Sequence, residues 1–147
     1  MTSSLTVRKA KKQDYDILAD VLHKTQLPID GVADHIENFL IAESKGNIAG
    51  MIGLEIYPPH ALVRSAAVLP EYRNHGIGTI LFHSLLKMAS EQQLTELYLF
   101  TNTAESFFQR KGFSRVKRSS VEGNITSSVE FKIHACESAV LMRREIE

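Results

Sequence analysis

Arg73-Asn74-His75-Gly76-Ile77-Gly78 stands between two unlike patterns, and its reading decides the fold. Upstream runs Ala61-Leu62-Val63-Arg64-Ser65-Ala66-Ala67-Val68-Leu69, an apolar strand-like segment closed by Pro70. Downstream, Ile77, Ile80, Leu81, Leu85 and Met88 fall at helical spacings. The order is therefore strand, basic glycine turn, helix. Glycine lacks a Cβ, so successive N–H groups in such a turn can face inward and meet a bound group closely. The helix that starts there adds unpaired amides and the positive end of its dipole. Together they suit a phosphate or pyrophosphate, and the Arg73 guanidinium matches phosphate oxygens.

Two better-known phosphate loops do not fit. Gly-x-x-x-x-Gly-Lys-Ser/Thr is absent, and the dinucleotide fingerprint needs three glycines where this turn has two. The turn alone leaves a plain alternative open, a tight strand-to-helix connection in which glycine only relieves strain.

Neighbouring residues narrow the choice. Arg73-x-x-Gly76-x-Gly78, preceded by Ala66-Ala67-Val68-Leu69-Pro70-Glu71-Tyr72, resembles the acetyl-CoA-binding motif of the GCN5-related N-acetyltransferases, the GNAT superfamily. Ala104-Glu105-Ser106-Phe107-Phe108-Gln109-Arg110-Lys111-Gly112-Phe113 is similar to that family's helix ending in Gly-Phe. The resemblance covers nearly the whole chain, with its parts in the family's order. It implies a single α/β domain over residues 1–147, a mixed and mostly antiparallel sheet flanked by helices, with two strands splayed where CoA enters.

Composition agrees with such a domain. At 147 residues the chain can bury a real core, and 44% hydrophobic with 23% charged residues is ordinary for a globular protein. A formal charge of zero gives no bulk attraction to nucleic acid or to an anionic membrane. The single cysteine, Cys136, excludes an internal disulfide framework. Met1-Thr2-Ser3-Ser4 opens no signal peptide and no apolar run reaches spanning length, so a cytoplasmic setting is expected.

In chain order, Leu5 to Arg8 reads as a strand and Asp14 to Lys24 as a helix, with Ile17, Leu18, Val21 and Leu22 on its apolar face. Leu27-Pro28 interrupts, and Asp30 is the expected cap of a second short helix through Ile36. Phe39 to Glu43 and Ile48 to Tyr57 predict a hairpin turning at Ser44-Lys45-Gly46-Asn47. Ala49, Met51, Gly53, Glu55 and Tyr57 share one face of its second strand. Period two places Leu62, Arg64, Ala66 and Val68 together on the next strand. Leu94 to Phe100 reads as an interior strand, Ala104–Lys111 as a helix, Gly123 to Phe131 as irregular or briefly helical, and Ser138 to Arg144 as a last strand.

The resemblance assigns roles. The diphosphate of acetyl-CoA is expected on Arg73, Asn74, His75, Gly76, Ile77, Gly78 and Thr79, and the pantetheine arm along the backbone of Ala66, Ala67 and Val68. An N–H near Ala66 or Ala67 would steady the oxyanion, and Asn102 resembles the family's polar contact to the arm. Glu55 is the expected general base, acting through water, against the alternative of a solvated strand residue. A tyrosine four residues before the glycine of the Gly-Phe pair is the common general acid; Phe108 holds that position here and has no proton to give. Thiolate leaves fairly well unaided, its thiol pKa being about 8.5.

Arg64 speaks to the acceptor. A guanidinium beside the reactive strand can grip a carboxylate, and an internal ion pair with Glu55 is the equal alternative. Leu62-Val63-Arg64-Ser65, Thr103 to Phe108 and Glu130-Phe131 through Ala139 resemble the N-acetyltransferases associated with arsenic-resistance operons. That branch implies a small amino acid or amino-acid-like toxin as amine substrate; a lone cysteine cannot build a multi-thiolate arsenic site. A protein or peptide acetyltransferase and a non-catalytic acyl-CoA sensor are the rival readings. His23, His35, His75, His83 and His134 show no ligand spacing, so no metal is expected, and His60 is a secondary candidate base. No nucleic acid or membrane partner is expected, and a homodimer is compatible with the reading.

Overall fold

The computed structural model describes residues 5–133 and 139–146, and the expectations for Met1–Ser4, His134, Cys136 and Ser138 lie outside them. Seven strands hydrogen-bond in the order β1-β2-β3-β4-β5-β7-β6. They are β1 Leu5–Lys9, β2 Phe39–Ser44, β3 Asn47–Tyr57, β4 His60–Val68, β5 Glu96–Thr101, β6 Ser114–Arg115 and β7 Val140–Glu145. The helices are α1 Tyr15–Lys24, α2 Val32–His35, α3 Ile77–Glu91, α4 Glu105–Arg110 and α5 Val129–Ile133. β1–β2, β2–β3, β5–β7 and β6–β7 pair antiparallel, and β4–β5 pair parallel. The sheet is therefore mixed. Its parallel ladder joins His60, Ala61 and Leu62 to Glu96, Leu97 and Tyr98, shorter than either strand.

Two compact units divide the chain: the described residues through Leu54 with Ser65–Met88, and Glu55–Arg64 with the described residues from Ala89 onward. In the first, α1 buries Leu18, Val21 and Leu22 against Val32, Ile36, Phe39, Ile41, Met51, Ala67 and Leu69. Ile17, expected on that face, is 46% exposed. One residue before Leu18, it lies about 100° round the helix, at the edge of the stripe that Leu18, Val21 and Leu22 centre. Arg8 on β1 grips Asp14 with two hydrogen bonds of 2.8 and 3.0 Å, so Asp14 is a buried tether rather than a free first-turn charge. At α2 the N-cap position belongs to Gly31, not Asp30. The β2–β3 link is Lys45-Gly46, both at positive φ (52° and 82°), as a two-residue hairpin turn requires.

β4 departs from simple alternation. Ser65 has φ 59°, a left-handed conformation inside a strand. Upstream, Leu62 packs with Tyr98, Val121, Ile125 and Leu141 in the second unit's core. Beyond Ser65 it is Ala67 and Leu69 that enter the first unit's core, while Ala66 is exposed. The expectation that Ala66 and Val68 continue the buried Leu62–Arg64 pattern is thus corrected: beyond the left-handed Ser65, Ala66 is exposed and Val68 half-buried.

Candidate active site

In the first unit, β4 leads through Leu69 into a tight turn at Pro70–Tyr72, where the Tyr72 N–H donates to the Leu69 carbonyl at 2.9 Å. Asn74 (φ 68°) and Gly76 (φ 77°) are then both left-handed, and α3 begins at Ile77. The Ile80 N–H donates to the Gly76 carbonyl at 3.1 Å, the opening bond of the helix. The N–H groups of Ile77, Gly78 and Thr79 precede it and have no intrahelical acceptor, so they project from the N-terminus of a 15-residue helix. Ile77 is buried and anchors the turn, while Arg73, Asn74, His75 and Gly76 are exposed. A Cβ at Gly76 would meet nothing within 4 Å, so backbone conformation alone requires glycine there. This set of donors, with a cation beside it, fits a diphosphate.

Arg73 is arranged differently from the expectation in one respect: its Nε donates to the Val68 carbonyl at 2.9 Å, fastening the turn to the end of β4. Just beyond the left-handed Ser65, Ala66 is exposed, Ala67 buried and Val68 half-buried.

The second unit holds a buried polar cluster. Glu55 has no exposed surface and Arg64 is 3% exposed; Arg64 Nη1 donates to Glu55 Oε2 at 2.8 Å. Glu55 Oε1 accepts from the Tyr57 hydroxyl at 2.6 Å and from Ser128 Oγ at 2.5 Å. Ser128 Oγ in turn accepts the Glu130 N–H at 3.1 Å, capping α5. Glu130 Oε2 lies 3.9 Å from Arg64 Nη2. Burial alone would raise the Glu55 pKa, but the hydrogen bonds from Ser128, Tyr57 and Arg64 outweigh it and hold the carboxyl below its ordinary range. Tyr57 is pushed up to about 12, first by burial and then by its bond to Glu55. The internal ion pair weighed for Arg64 is present, and Glu55 is not a solvated strand residue.

Ser128 was not named from sequence, and Tyr57 and Glu130 were named only on a strand face and within a motif, with no role at the site. Ser128 carried a signal, a serine just ahead of Val129-Glu130-Phe131, which is a helix N-cap pattern. Asn102 is exposed in the bend after β5, where the Ala104 N–H bonds the Thr101 hydroxyl at 2.9 Å. Phe108 is buried, edge-to-face with Phe107 and Phe113. His60 pairs with Glu96 at 2.9 Å, which occupies the secondary candidate base. Among the described residues no cluster of His, Cys, Asp or Glu could hold a metal, and no helix is long and apolar enough to cross a membrane.

Residues 7–113 match the Acetyltransferase (GNAT) family. This chain belongs to that family. Among GNAT relatives, an uncharacterized N-acetyltransferase of Chlorobaculum tepidum is 32% identical over 91 residues, 61% of this chain and 58% of that protein. The uncharacterized protein YwlB of Bacillus subtilis is 32% identical over 143 residues, 94% of this chain and 95% of its own. An N-acetylglutamate synthase of Neisseria gonorrhoeae, solved with coenzyme A and N-acetyl-glutamate, superposes with a TM-score of 0.83 at 17% identity. It covers 97% of this chain, which spans only 35% of that synthase. Rv2747 of Mycobacterium tuberculosis, solved with CoA and NLQ, gives 0.80 at 19% identity, covering 97% and 99%. The architecture is the GNAT α/β fold.

Proposed function

We propose that this protein is an acetyl-CoA-dependent N-acetyltransferase acting on the amine of a small amino acid or amino-acid-like compound. The observation that carries the reading is the run of outward amides at the start of α3, reached through the left-handed Asn74 and Gly76. Acetyl-CoA supplies an activated acyl thioester. The amides of Asn74 to Thr79, with Arg73, would hold its diphosphate, and the backbone of Ala66, Ala67 and Val68 would hold its arm. A backbone N–H near Ala66 or Ala67 would meet the oxyanion that the acyl transfer develops.

Arg64 is the proposed anchor of the acceptor's carboxylate. Glu55, held by three donors with a lowered pKa, is better suited to fixing Arg64 than to taking a proton. A free α-amine has a pKa of about 7.7–8.0 and is already partly neutral near pH 7, so water suffices as base. The resemblance to arsenic-resistance-operon acetyltransferases supports the same substrate class, as do amino-acid acetyltransferase relatives of Actinobacillus pleuropneumoniae.

Thiol release from acetyl-CoA over a panel of free amino acids, peptides and protein N-termini is the test. Turnover with free amino acids supports the reading, and turnover confined to peptides moves it to a protein acetyltransferase. Binding of acetyl-CoA with no turnover on any acceptor makes the protein an acyl-CoA sensor.

A further inference from the structure

Arg8, Arg64 and Arg143 are buried or half-buried, and each meets an acidic side chain at ion-pair distance. Arg118 is half-buried as well, yet among the described residues no carboxylate lies within that distance of it. What it has instead is an aromatic support. Its guanidinium carbon lies over the Phe100 ring, 5.0 Å from the centroid, and Nη2 donates to the Ala139 carbonyl at 3.5 Å, the long limit of a hydrogen bond. The ring steadies the guanidinium and leaves its other N–H donors unused by the chain. A partly dehydrated cation held in this way lacks the anion that would offset its burial.

Arg118 lies in the second unit, beside the end of the parallel ladder. Leu62 and Tyr98 are the last pair of that ladder; Phe100 follows two residues on along β5, as Arg64 does along β4. α5 reaches both. Glu130 stands 3.9 Å from Arg64 Nη2, and the next residue, Phe131, meets Phe100 edge-on with 5.0 Å between ring centroids. Arg118 therefore neighbours the Arg64–Glu55 cluster, but unlike Arg64 it keeps exposed surface. We propose that Arg118 binds a carboxylate on the acceptor's side chain, so that the enzyme prefers an acidic amino acid to its uncharged amide. The proposal rests on the reading of the acceptor as an amino-acid-type amine. Guanidinium and carboxylate meet through paired, charge-assisted hydrogen bonds, which a half-buried site screens less than bulk water does. An amide of the same shape offers an acceptor oxygen but no charge, and its NH2 group faces a cation that can only donate. Discrimination arises from that mismatch.

The experiment measures kcat/KM with acetyl-CoA for L-glutamate against L-glutamine and for L-aspartate against L-asparagine, in wild type, Arg118→Met and Arg118→Lys. Methionine keeps apolar cover on Phe100 and drops the charge, while lysine keeps the charge. Wild type should prefer the acid in at least one pair by about tenfold or more. In Arg118→Met the acid-to-amide ratio should fall to about one through a higher KM for the acid, and Arg118→Lys should restore part of it. In wild type with CoA bound, the saturating acid, and not its amide, should also shift the Arg118 Nε–H signal; this measurement needs no variant to fold. Free amino acids turned over with no preference for the acid, a preference that survives in Arg118→Met, or an unmoved Arg118 signal overturns the role of Arg118 and leaves the acceptor class standing. If only peptides are turned over, or no acceptor is, the acceptor reading itself falls and this proposal with it.

Discussion

The Ser128 hydroxyl bonds Glu55 Oε1 at 2.5 Å across 73 positions of sequence, and the same oxygen accepts the Glu130 N–H at 3.1 Å. One buried hydroxyl therefore ties the end of β3 to the start of α5. It also supplies one of the bonds that keep Glu55 ionised beside Arg64.

Ser128→Ala removes a donor from Glu55 and an acceptor from the Glu130 N–H. The expected loss is about 1–2 kcal/mol of stability, since each group is left buried with one partner fewer. Losing that donor raises the Glu55 pKa, loosens its hold on Arg64 and raises KM for a carboxylate acceptor several-fold. Affinity for CoA should be unchanged. Denaturant unfolding and a KM-against-kcat comparison check both halves; an unaltered acceptor KM would leave Ser128 a purely structural bond.

Arg64→Ala strands Glu55 in the core without its cation, and the expected cost is about 3–5 kcal/mol. Activity lost in that variant says little about the acceptor. Arg64→Met combined with Glu55→Leu removes the closest ion pair but still leaves the buried Glu130 without the Arg64 cation, so it should recover only part of the stability. It should not recover acceptor binding. Thermal unfolding of the three proteins, with acceptor KM measured on the double variant, separates folding from recognition.

Gly76→Ala and Gly46→Ala form a matched pair. Both glycines lie in the left-handed region (φ 77° and 82°), and an added Cβ meets nothing within 4 Å at either. Each substitution should therefore cost about 1 kcal/mol through backbone conformation alone. Only Gly76 opens α3, so only Gly76→Ala should weaken CoA, by about tenfold or more. Equal CoA affinity in the two variants, measured by calorimetry, would remove the amide cradle from the proposed site.

What sequence could reveal here followed from local chemistry. The hairpin at Lys45-Gly46 and the reversal at Gly76 were legible because a glycine sits where the backbone needs positive φ. The left-handed residue in β4 is Ser65, not a glycine, so nothing marked it, and the buried pattern of Leu62 and Arg64 was carried past it onto the exposed Ala66. The Glu55–Arg64 pair was reachable because neighbouring strands bring the two together. Their third partner was not: Ser128 comes from a segment with neither a clear helical nor a clear strand period, and only the folded chain selects it. Ile17 shows the same limit on a smaller scale, since an apolar residue at the margin of a stripe reads like one at its centre.

The last prediction concerns acid. Asp14 is buried, and its bonds from Arg8, offset in part by burial and reinforced by the Lys11 N–H at 2.7 Å, lower its pKa to about 2. An unfolded aspartate titrates near about 3.9. The folded value is the lower one, so the tether contributes fully above about pH 4 and its contribution disappears as pH falls through 2. Because Arg8 is 36% exposed, screening reduces the stabilisation to about 1–2 kcal/mol. Asp14→Asn cannot ionise and lacks this contribution at every pH. The stability gap between wild type and Asp14→Asn, from urea unfolding at several pH values, should be widest near neutrality and close between about pH 4 and pH 2. A gap that stays constant across that window would mean that packing rather than the charged bond to Arg8 holds Asp14 in place.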